Sequence, residues 1–208
     1  MKILIIGATG QTGRCVIQSA LDAGHEVTAF ARHTESLNEL DDQIEIITGD
    51  AISTPELEKA MTGKDAVIST LGRGKSTRAH NLFTRAAVSI VNAANHTEVK
   101  RLIWMSSFGV GETFKDANVA QKVAYSTMLR NIYTNKADAE RIIRLSHLNW
   151  TIVYPSALTN GNLTGEYQIG EHLRMSGAPR ISRADVADCM INLLKDDEWI
   201  HRGIEITN

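Results

Sequence analysis

The chain has 208 residues, of which 43% are hydrophobic and 22% charged, and its formal net charge is −2 at pH 7. This length suits one well-filled α/β domain and is short for two, so we expect a single domain over residues 1–208. The weak net charge gives no indication of the strongly basic surface that binds nucleic acid or an anionic membrane, and neither is expected as a partner.

Nothing in the sequence predicts a secreted or membrane-spanning protein. The apolar run at the N-terminus stops at Gly7, which is too short for the core of a secretory signal, and no later run approaches the length of a membrane span. Cys15 and Cys189 lie in separate helical patterns and predict no disulfide framework. We therefore expect a cytoplasmic protein.

Short runs rich in β-branched residues alternate with helical patterns along the chain. This alternation predicts a doubly wound parallel sheet with helices on both faces, and the continuous apolarity of residues 3–6 and 44–47 is typical of strands buried from both sides. The predicted strands are Ile3–Ile6, Val27–Phe30, Ile44–Ile47, Ala66–Thr70, Leu102–Met105, Thr151–Tyr154 and Ile204–Ile206. The predicted helices include Arg14–Ala23, Ala79–Ala94 and Asp185–Leu194, the last capped by Ser182.

A glycine motif follows the first predicted strand and leads directly into the first helix. Its glycines lie at positions 7, 10 and 13, a spacing that allows a tight turn, close approach of the backbone to a pyrophosphate, and close helix packing. A Walker loop is excluded because Arg14 and Cys15 follow the last glycine. The sequence thus predicts a dinucleotide diphosphate at the N-terminus of this helix. The residues expected to hold it are Gly7, Thr9, Gly10, Gln11, Thr12 and Gly13.

The end of the second strand favours NADP(H) over NAD(H) as the cofactor. NAD-type sites usually place Asp or Glu there, against the ribose hydroxyls. This chain has Ala31-Arg32-His33 instead, and the Arg32 guanidinium is suited to the 2′-phosphate of NADP(H). The alternatives are a surface arginine without a ligand and a ribose contact from Glu35.

Two further strand ends are expected to line the cofactor groove. Asp50, beside Ala51 after the third strand, is placed to accept a hydrogen bond from the adenine amino group, and a simple turn role is nearly as well supported. Leu71 and Gly72 follow the fourth strand, where backbone atoms would line the groove.

Two connections, near residues 108–130 and 157–182, are longer than is usual between elements of such a sheet. Ligands of open parallel sheets bind at the carboxyl ends of the strands, where both connections emerge, so we expect them to form the walls of a substrate pocket. Phe108, Tyr125 and Tyr167 are candidates for an aromatic wall, or for caps of the core. The seven histidines form no i, i+4 pair, and no metal site is predicted.

Motifs spread over nearly the whole chain point to one family. They are Gly7-Ala-Thr-Gly-Gln-Thr-Gly13, Gly49-Asp50, Asp65-Ala-Val-Ile68, Ser106-Ser107, Trp150-Thr-Ile-Val-Tyr-Pro155 and Leu163-Thr-Gly165. Together they resemble the atypical short-chain dehydrogenases, in particular the biliverdin reductase B (flavin reductase) and NmrA-like branches. The resemblance implies a Rossmann-like fold and an NADPH-dependent reductase of flavins or similar conjugated acceptors.

The resemblance also assigns residues and exposes two departures. Arg32 matches the arginine that binds the 2′-phosphate, and Ser107 matches the serine beside the nicotinamide. Ser36 stands where a second basic residue is expected, and Ala157 stands where the active-site histidine is expected. The second departure argues against a biliverdin-type substrate.

The Tyr-x-x-x-Lys pair of typical short-chain dehydrogenases, which shares one helix face, is missing. Leu129 follows Tyr125 at that spacing and Ala137 follows Tyr133. Lys136 lies only three residues after Tyr133, and we interpret that pair as ordinary helix surface. Without a tyrosine acid, simple ketones are disfavoured and acceptors that spread charge over a ring system are favoured.

Ser107 is the predicted catalytic residue, orienting the nicotinamide or donating a hydrogen bond to the acceptor. The alternative for Ser107 is a satisfied hydroxyl at a strand end. Ser106 and Pro155 are predicted to contact the cofactor from the neighbouring strand ends.

Three functions are compatible with these features. The first is an NADPH-dependent reductase of a planar small molecule such as a flavin or quinone. The second is a non-enzymatic NADP(H)-binding redox sensor of the NmrA type. Among the three, only this hypothesis involves a protein partner. The third, a sugar-nucleotide enzyme, is disfavoured because it would need the Tyr/Lys pair.

Overall fold

The structure, a computed structural model, describes residues 1–74, 80–175 and 177–208. Its strands are β1 (Lys2–Ile6), β2 (Glu26–Ala31), β3 (Glu45–Thr48), β4 (Ala66–Ser69), β5 (Arg101–Met105), β6 (Asn149–Pro155), β7 (Ala157–Thr159), β8 (Gln168–Gly170), β9 (Arg180–Ser182) and β10 (Arg202–Thr207). Its α-helices are α1 (Gln11–Asp22), α2 (Thr54–Met61), α3 (Leu82–Ala94), α4 (Val119–Thr127), α5 (Arg130–Arg144) and α6 (Arg183–Asn192). Short 3-10 helices span Glu35–Leu40, Gly111–Asp116 and Asp197–Trp199.

The central sheet has the strand order β3-β2-β1-β4-β5-β6-β10-β8. Every neighbouring pair is parallel except β10 and β8. The direction of strand succession reverses beside β1, which is the switch point where open α/β sheets form their ligand crevice.

Helices cover both faces of this sheet and give it two apolar cores. On one face, α1 and α6 pack over Ile3 and Ile5 of β1. On the other face, α2, α3 and α5 pack over Leu4 and Ile6 of the same strand. The predicted Rossmann-like fold, a parallel sheet with helices on both sides, is therefore confirmed.

Several predicted boundaries differ from the structure for local reasons. Helix α1 begins at Gln11, three residues before the predicted start, because the helix starts inside the glycine motif. Helix α3 begins at Leu82, after His80 and Asn81, which both have positive φ; the predicted start at Ala79 lies outside the described residues. Strand β3 was predicted to be buried from both sides, but it is an edge strand and only its central residues are half-buried.

The strands β7, β8 and β9 were not predicted. Each has three residues, too few for a pattern of alternation to be detected. They lie inside the second long connection: β8 extends the main sheet antiparallel to β10, and β7 pairs with β9 in a small second sheet. Within the described residues, no helix is long and apolar enough to cross a membrane.

Candidate functional site

The carboxyl ends of the parallel strands meet at one edge of the sheet and bring the predicted site residues together. The register pairs Ile6 with Phe30 and with Ser69, Ser69 with Trp104, and Met105 with Val153. The residues that follow these positions therefore share an edge. They include Gly7, Arg32, Leu71, Ser106 and Pro155.

The glycine loop has the geometry that a dinucleotide site requires. Gly7 has φ +82°, and a side chain there would meet the backbone carbonyl carbon of Thr70 at 3.0 Å. A Cβ on Gly13 would lie 2.3 Å from the carbonyl oxygen of Gly7, so only glycine lets α1 pack this closely on β1. Gly10 is the N-cap of α1, with no side-chain cap and no acidic residue in the first turn, so the positive end of the helix dipole faces the loop without protein compensation.

The other predicted cofactor contacts lie along the same edge. Arg32 is exposed and makes no hydrogen bond or ion pair with any residue that the structure describes. Arg14 instead donates to Glu39 at 2.8 Å and to the carbonyl of Ser36, which fastens the 3-10 helix Glu35–Leu40 beside α1. Asp50 closes a turn by accepting from the amide of Ile52 at 3.3 Å, as its alternative role requires.

At the end of β5, two serines contact a buried lysine. The ammonium of Lys136 donates to Ser107 Oγ at 2.8 Å and to the carbonyl oxygen of Ser106 at 3.1 Å. Lys136 is 7% exposed, and burial lowers its pKa to about 8. Because the ammonium occupies an acceptor site of Ser107, the Ser107 hydroxyl keeps its own proton for a partner on the side of the cleft.

The prediction that Lys136 and Tyr133 form ordinary helix surface is therefore wrong for Lys136. Helix α5 packs its inner face on the sheet end, where the two serines satisfy the ammonium. Tyr133 does not act with it, since its hydroxyl donates to the carbonyl oxygen of Phe108 at 3.1 Å and burial raises its pKa. Four residues before Lys136 stands Ile132, so this lysine too lacks the tyrosine of a Tyr-x-x-x-Lys pair.

A buried carboxylate lies one helical turn after Lys136. Glu140 is 3% exposed and accepts from the hydroxyls of Ser106 and Tyr154. Burial raises its pKa, although these hydrogen bonds and the charges of Arg144 and Lys136 act in the opposite sense. The Ser106 hydroxyl thus donates to Glu140, and the residue is 1% exposed. Its side chain therefore links the end of β5 to α5.

The two long connections, predicted as pocket walls, contact each other. We call residues 108–130 the first wall and residues 157–182 the second wall. Buried Phe108 and Ala117 of the first wall pack on Met175 of the second. Tyr125 stacks on Tyr133 with ring centroids 4.8 Å apart, and both rings line a cavity of about 270 Å³.

Tyr167 does not join this aromatic group. Its hydroxyl donates to Asp188 of α6 at 2.6 Å, and its ring packs on the core beneath that helix. Of the three candidates for an aromatic wall, Tyr125 lines the cavity, whereas the buried Phe108 and Tyr167 pack as caps of the core.

A third group of polar side chains joins the two walls to the sheet. His172 Nδ1 lies 3.1 Å from Asp116 Oδ2, and buried Glu205 of β10 lies beside them. Burial and the neighbouring Asp116 carboxylate raise the pKa of Glu205 to about 7. No sequence pattern indicates this group, because its members are far apart in the chain.

This fold and this glycine loop define a nicotinamide dinucleotide-binding protein. The profile of the NAD(P)H-binding family matches residues 7–197, and the chain belongs to that family. The resemblance to atypical short-chain dehydrogenases is confirmed at this level.

Similar proteins cover the whole chain. YhfK of Bacillus subtilis (strain 168), named an uncharacterized sugar epimerase, is 28% identical over 213 residues, which are 100% of this chain and 94% of YhfK. The crystal structure of the oxidoreductase ylbE from Lactococcus lactis has 27% identity and a TM-score of 0.85, covering 100% of this chain and 91% of its own. ChuY, an anaerobillin reductase from Escherichia coli O157:H7, shares the fold at 24% identity with a TM-score of 0.82, covering 99% and 96% of the two chains.

Proposed function

We propose that the protein is an NADPH-dependent reductase that transfers a hydride to a flavin, a quinone or a similar conjugated acceptor. The observation that carries this proposal is the contact between Lys136 and Ser107 at the end of β5. When bound, the dihydronicotinamide supplies the hydride and leaves as NADP⁺. The acceptor takes the hydride together with one proton from solvent.

In this proposal Ser107 positions the reactants. The Lys136 ammonium, held also by the Ser106 carbonyl, fixes Ser107 Oγ as an acceptor on its inner side. The Ser107 proton then donates outward, to the nicotinamide carboxamide or to an acceptor oxygen that gains charge as the hydride arrives. The fixed ammonium also favours that developing negative charge.

The class of acceptor follows from the groups that surround this serine. Ile132 stands four residues before Lys136, where a Tyr-x-x-x-Lys pair would have its tyrosine. The Tyr133 hydroxyl donates its proton to the carbonyl oxygen of Phe108. An isolated ketone, whose alkoxide needs a proton donor in the transition state, is therefore a poor substrate. A ring system that delocalises the charge does not need that donor. The cavity beside Tyr125 and Tyr133 is lined by both rings and not by Ser107, and a planar molecule that reaches it would stack on these rings.

The preference for NADPH is assigned to Arg32. Its guanidinium is exposed at the end of β2 and uncommitted among the described residues, as expected for a residue that pairs with a 2′-phosphate. We expect Arg32→Ala to weaken NADPH binding by about 10-fold to 100-fold while leaving NADH binding unchanged. Isothermal titration with both cofactors measures this, and an unchanged preference would remove Arg32 from the site.

The activity itself is tested by following absorbance at the reduced-nicotinamide band. NADPH is mixed with the full chain and, in turn, with FMN, riboflavin and several quinones; an isolated ketone is included as the disfavoured substrate. Turnover with a conjugated acceptor and not with the ketone supports the proposal. Tight NADPH binding without oxidation by any acceptor contradicts it and favours the redox sensor.

A further inference from the structure

Three potential metal ligands from three separate elements converge where the two walls meet the sheet. Asp116 ends the 3-10 helix of the first wall, His172 belongs to the second wall, and Glu205 lies in β10. One ligand atom from each side chain lies within 4.8 Å of the other two. The shortest measured contact, from His172 Nδ1 to Asp116 Oδ2, is 3.1 Å.

The Glu205 carboxylate is only half satisfied. The residue is 0% exposed, and its Oε2 accepts from the backbone amide of Leu173 at 2.6 Å. Its Oε1 is buried and has no hydrogen-bond partner among the described residues. A buried carboxylate oxygen without a partner is costly, so this atom requires either a cation or a proton shared with the neighbouring Asp116.

We propose that Asp116, His172 and Glu205 bind a divalent cation of the class that accepts mixed nitrogen and oxygen ligands, such as Zn²⁺ or Mn²⁺. The two carboxylates balance the charge of a dication, and the imidazole favours such ions over Mg²⁺. Ligand atoms about 2.0–2.2 Å from one ion lie about 3–4 Å from each other, so the cluster is close to the required size. His172, whose side chain is 59% exposed, can rotate to complete the fit.

A cation at this place would have a structural consequence for the pocket. It would join the first wall, the second wall and β10 at one point, next to the apolar contact of Phe108 and Ala117 with Met175. The site uses no residue assigned to the cofactor or to hydride transfer. Its occupancy can therefore be measured without any nicotinamide present.

The test is isothermal titration of the chelator-treated full chain with ZnCl₂, MnCl₂ and MgCl₂. We expect one Zn²⁺ or Mn²⁺ per chain and weaker Mg²⁺ binding. His172→Ala and Glu205→Gln should each weaken binding by at least about 10-fold. The control is His96→Ala, because His96 forms an exposed pair with Glu58 at 2.6 Å on another part of the surface. This variant should bind as the wild type does.

Three outcomes would overturn the proposal: no binding by the wild type, binding retained in both ligand variants, or an equal loss in His96→Ala. Absence of binding would mean that Glu205 and Asp116 share a proton instead. Should Glu205→Gln fail to fold, His172→Ala decides alone, since an exposed side chain contributes little to stability. Reductase activity is assayed separately, so its failure and the failure of the metal site are distinguishable.

Discussion

Lys136 sets the direction in which the neighbouring serine donates its proton. An ammonium can only donate, whereas a neutral amine can also accept, so loss of the Lys136 proton would let Ser107 turn its own proton inward. Desolvation lowers the pKa of this lysine to about 8, so the loss of its proton can be followed at pH values close to neutral.

We therefore expect the kcat for NADPH oxidation to be high below pH 8 and to fall as the pH rises through that value. In Lys136→Met the activity should be low throughout, with this step absent. The matched control is Lys64→Met, which removes a partly buried lysine paired with Glu45 of β3 and should keep the wild-type profile. A wild-type profile that is flat between pH 7 and 9 would contradict the role given to Lys136.

The sequence predicts that several candidate site residues lie at strand ends, but it does not indicate the buried lysine beside two of them. The glycine motif and the strand-end serines follow buried strands directly, so their position at the sheet edge could be predicted. The burial of Lys136 could not, because it depends on α5 packing against Ser106 and Ser107, which are separated from it by about thirty residues. A lysine in an amphipathic pattern is exposed far more often than it is buried.

Among the elements, the first wall depends on a glycine in the left-handed region. Gly109 has φ +89°, and a Cβ there would lie 2.2 Å from the ring of Tyr125. The close approach holds α4 against α5 through the stack of Tyr125 on Tyr133.

Gly109→Ala should displace Tyr125 and loosen α4, with a loss of about 2–4 kcal/mol in unfolding free energy. Tryptic cleavage at Lys115, before α4, and at Lys122, within α4, should become faster. The control is Gly63→Ala, because Gly63 has φ +71° and a Cβ there would meet nothing within 4 Å. Equal cleavage rates in the two variants would show that the Tyr125 contact does not hold the wall.

The second wall is tied to α6 by a buried carboxylate. Asp185 is 0% exposed and accepts from Ser182 Oγ at 2.7 Å, and from the amides of Thr164 and Gly165 at 2.8 and 3.0 Å. Burial opposes ionisation, but these hydrogen bonds outweigh it and lower the pKa of Asp185 below its ordinary value of 3.8.

Because the folded-state pKa is depressed, Asp185 stabilises the fold above the unfolded pKa of 3.8, and the stabilisation is lost as the pH falls through the folded value. Asp185→Ala should lower the unfolding free energy by about 2–4 kcal/mol at pH 7, and the difference should shrink in acid. Urea unfolding at pH 7 and in acid measures the loss of unfolding free energy and its dependence on pH. Asp138→Ala, which removes an exposed carboxylate paired with Arg141, should change it by less than about 1 kcal/mol.

Element prediction succeeded where patterns were long and failed where they were short. The parallel strands β1, β2, β4, β5 and β6 were located from runs of four or five residues rich in β-branched and apolar side chains. The three-residue strands of the second wall have no such signal. The burial of β3 was overestimated because apolarity alone does not distinguish a central strand from an edge strand covered on its faces.

At the scale of the whole molecule, the sheet order explains why residues from distant segments act together. Parallel register aligns the ends of β1, β2, β4, β5 and β6, so one crevice collects the glycine loop, Arg32 and the serines. The order of strands follows from the family of folds that the glycine motif indicates. The contact between the two walls could not be predicted, since it depends on packing between loops.

Single-turnover oxidation of bound NADPH by FMN, followed by absorbance in the wild type, Ser107→Ala and Lys136→Met, tests whether hydride transfer takes place at the end of β5. We expect the wild type to oxidise its NADPH, and both variants to bind NADPH with similar affinity but react at least about 10-fold more slowly. Identical rates in all three proteins would contradict the assignment of hydride transfer to this strand end.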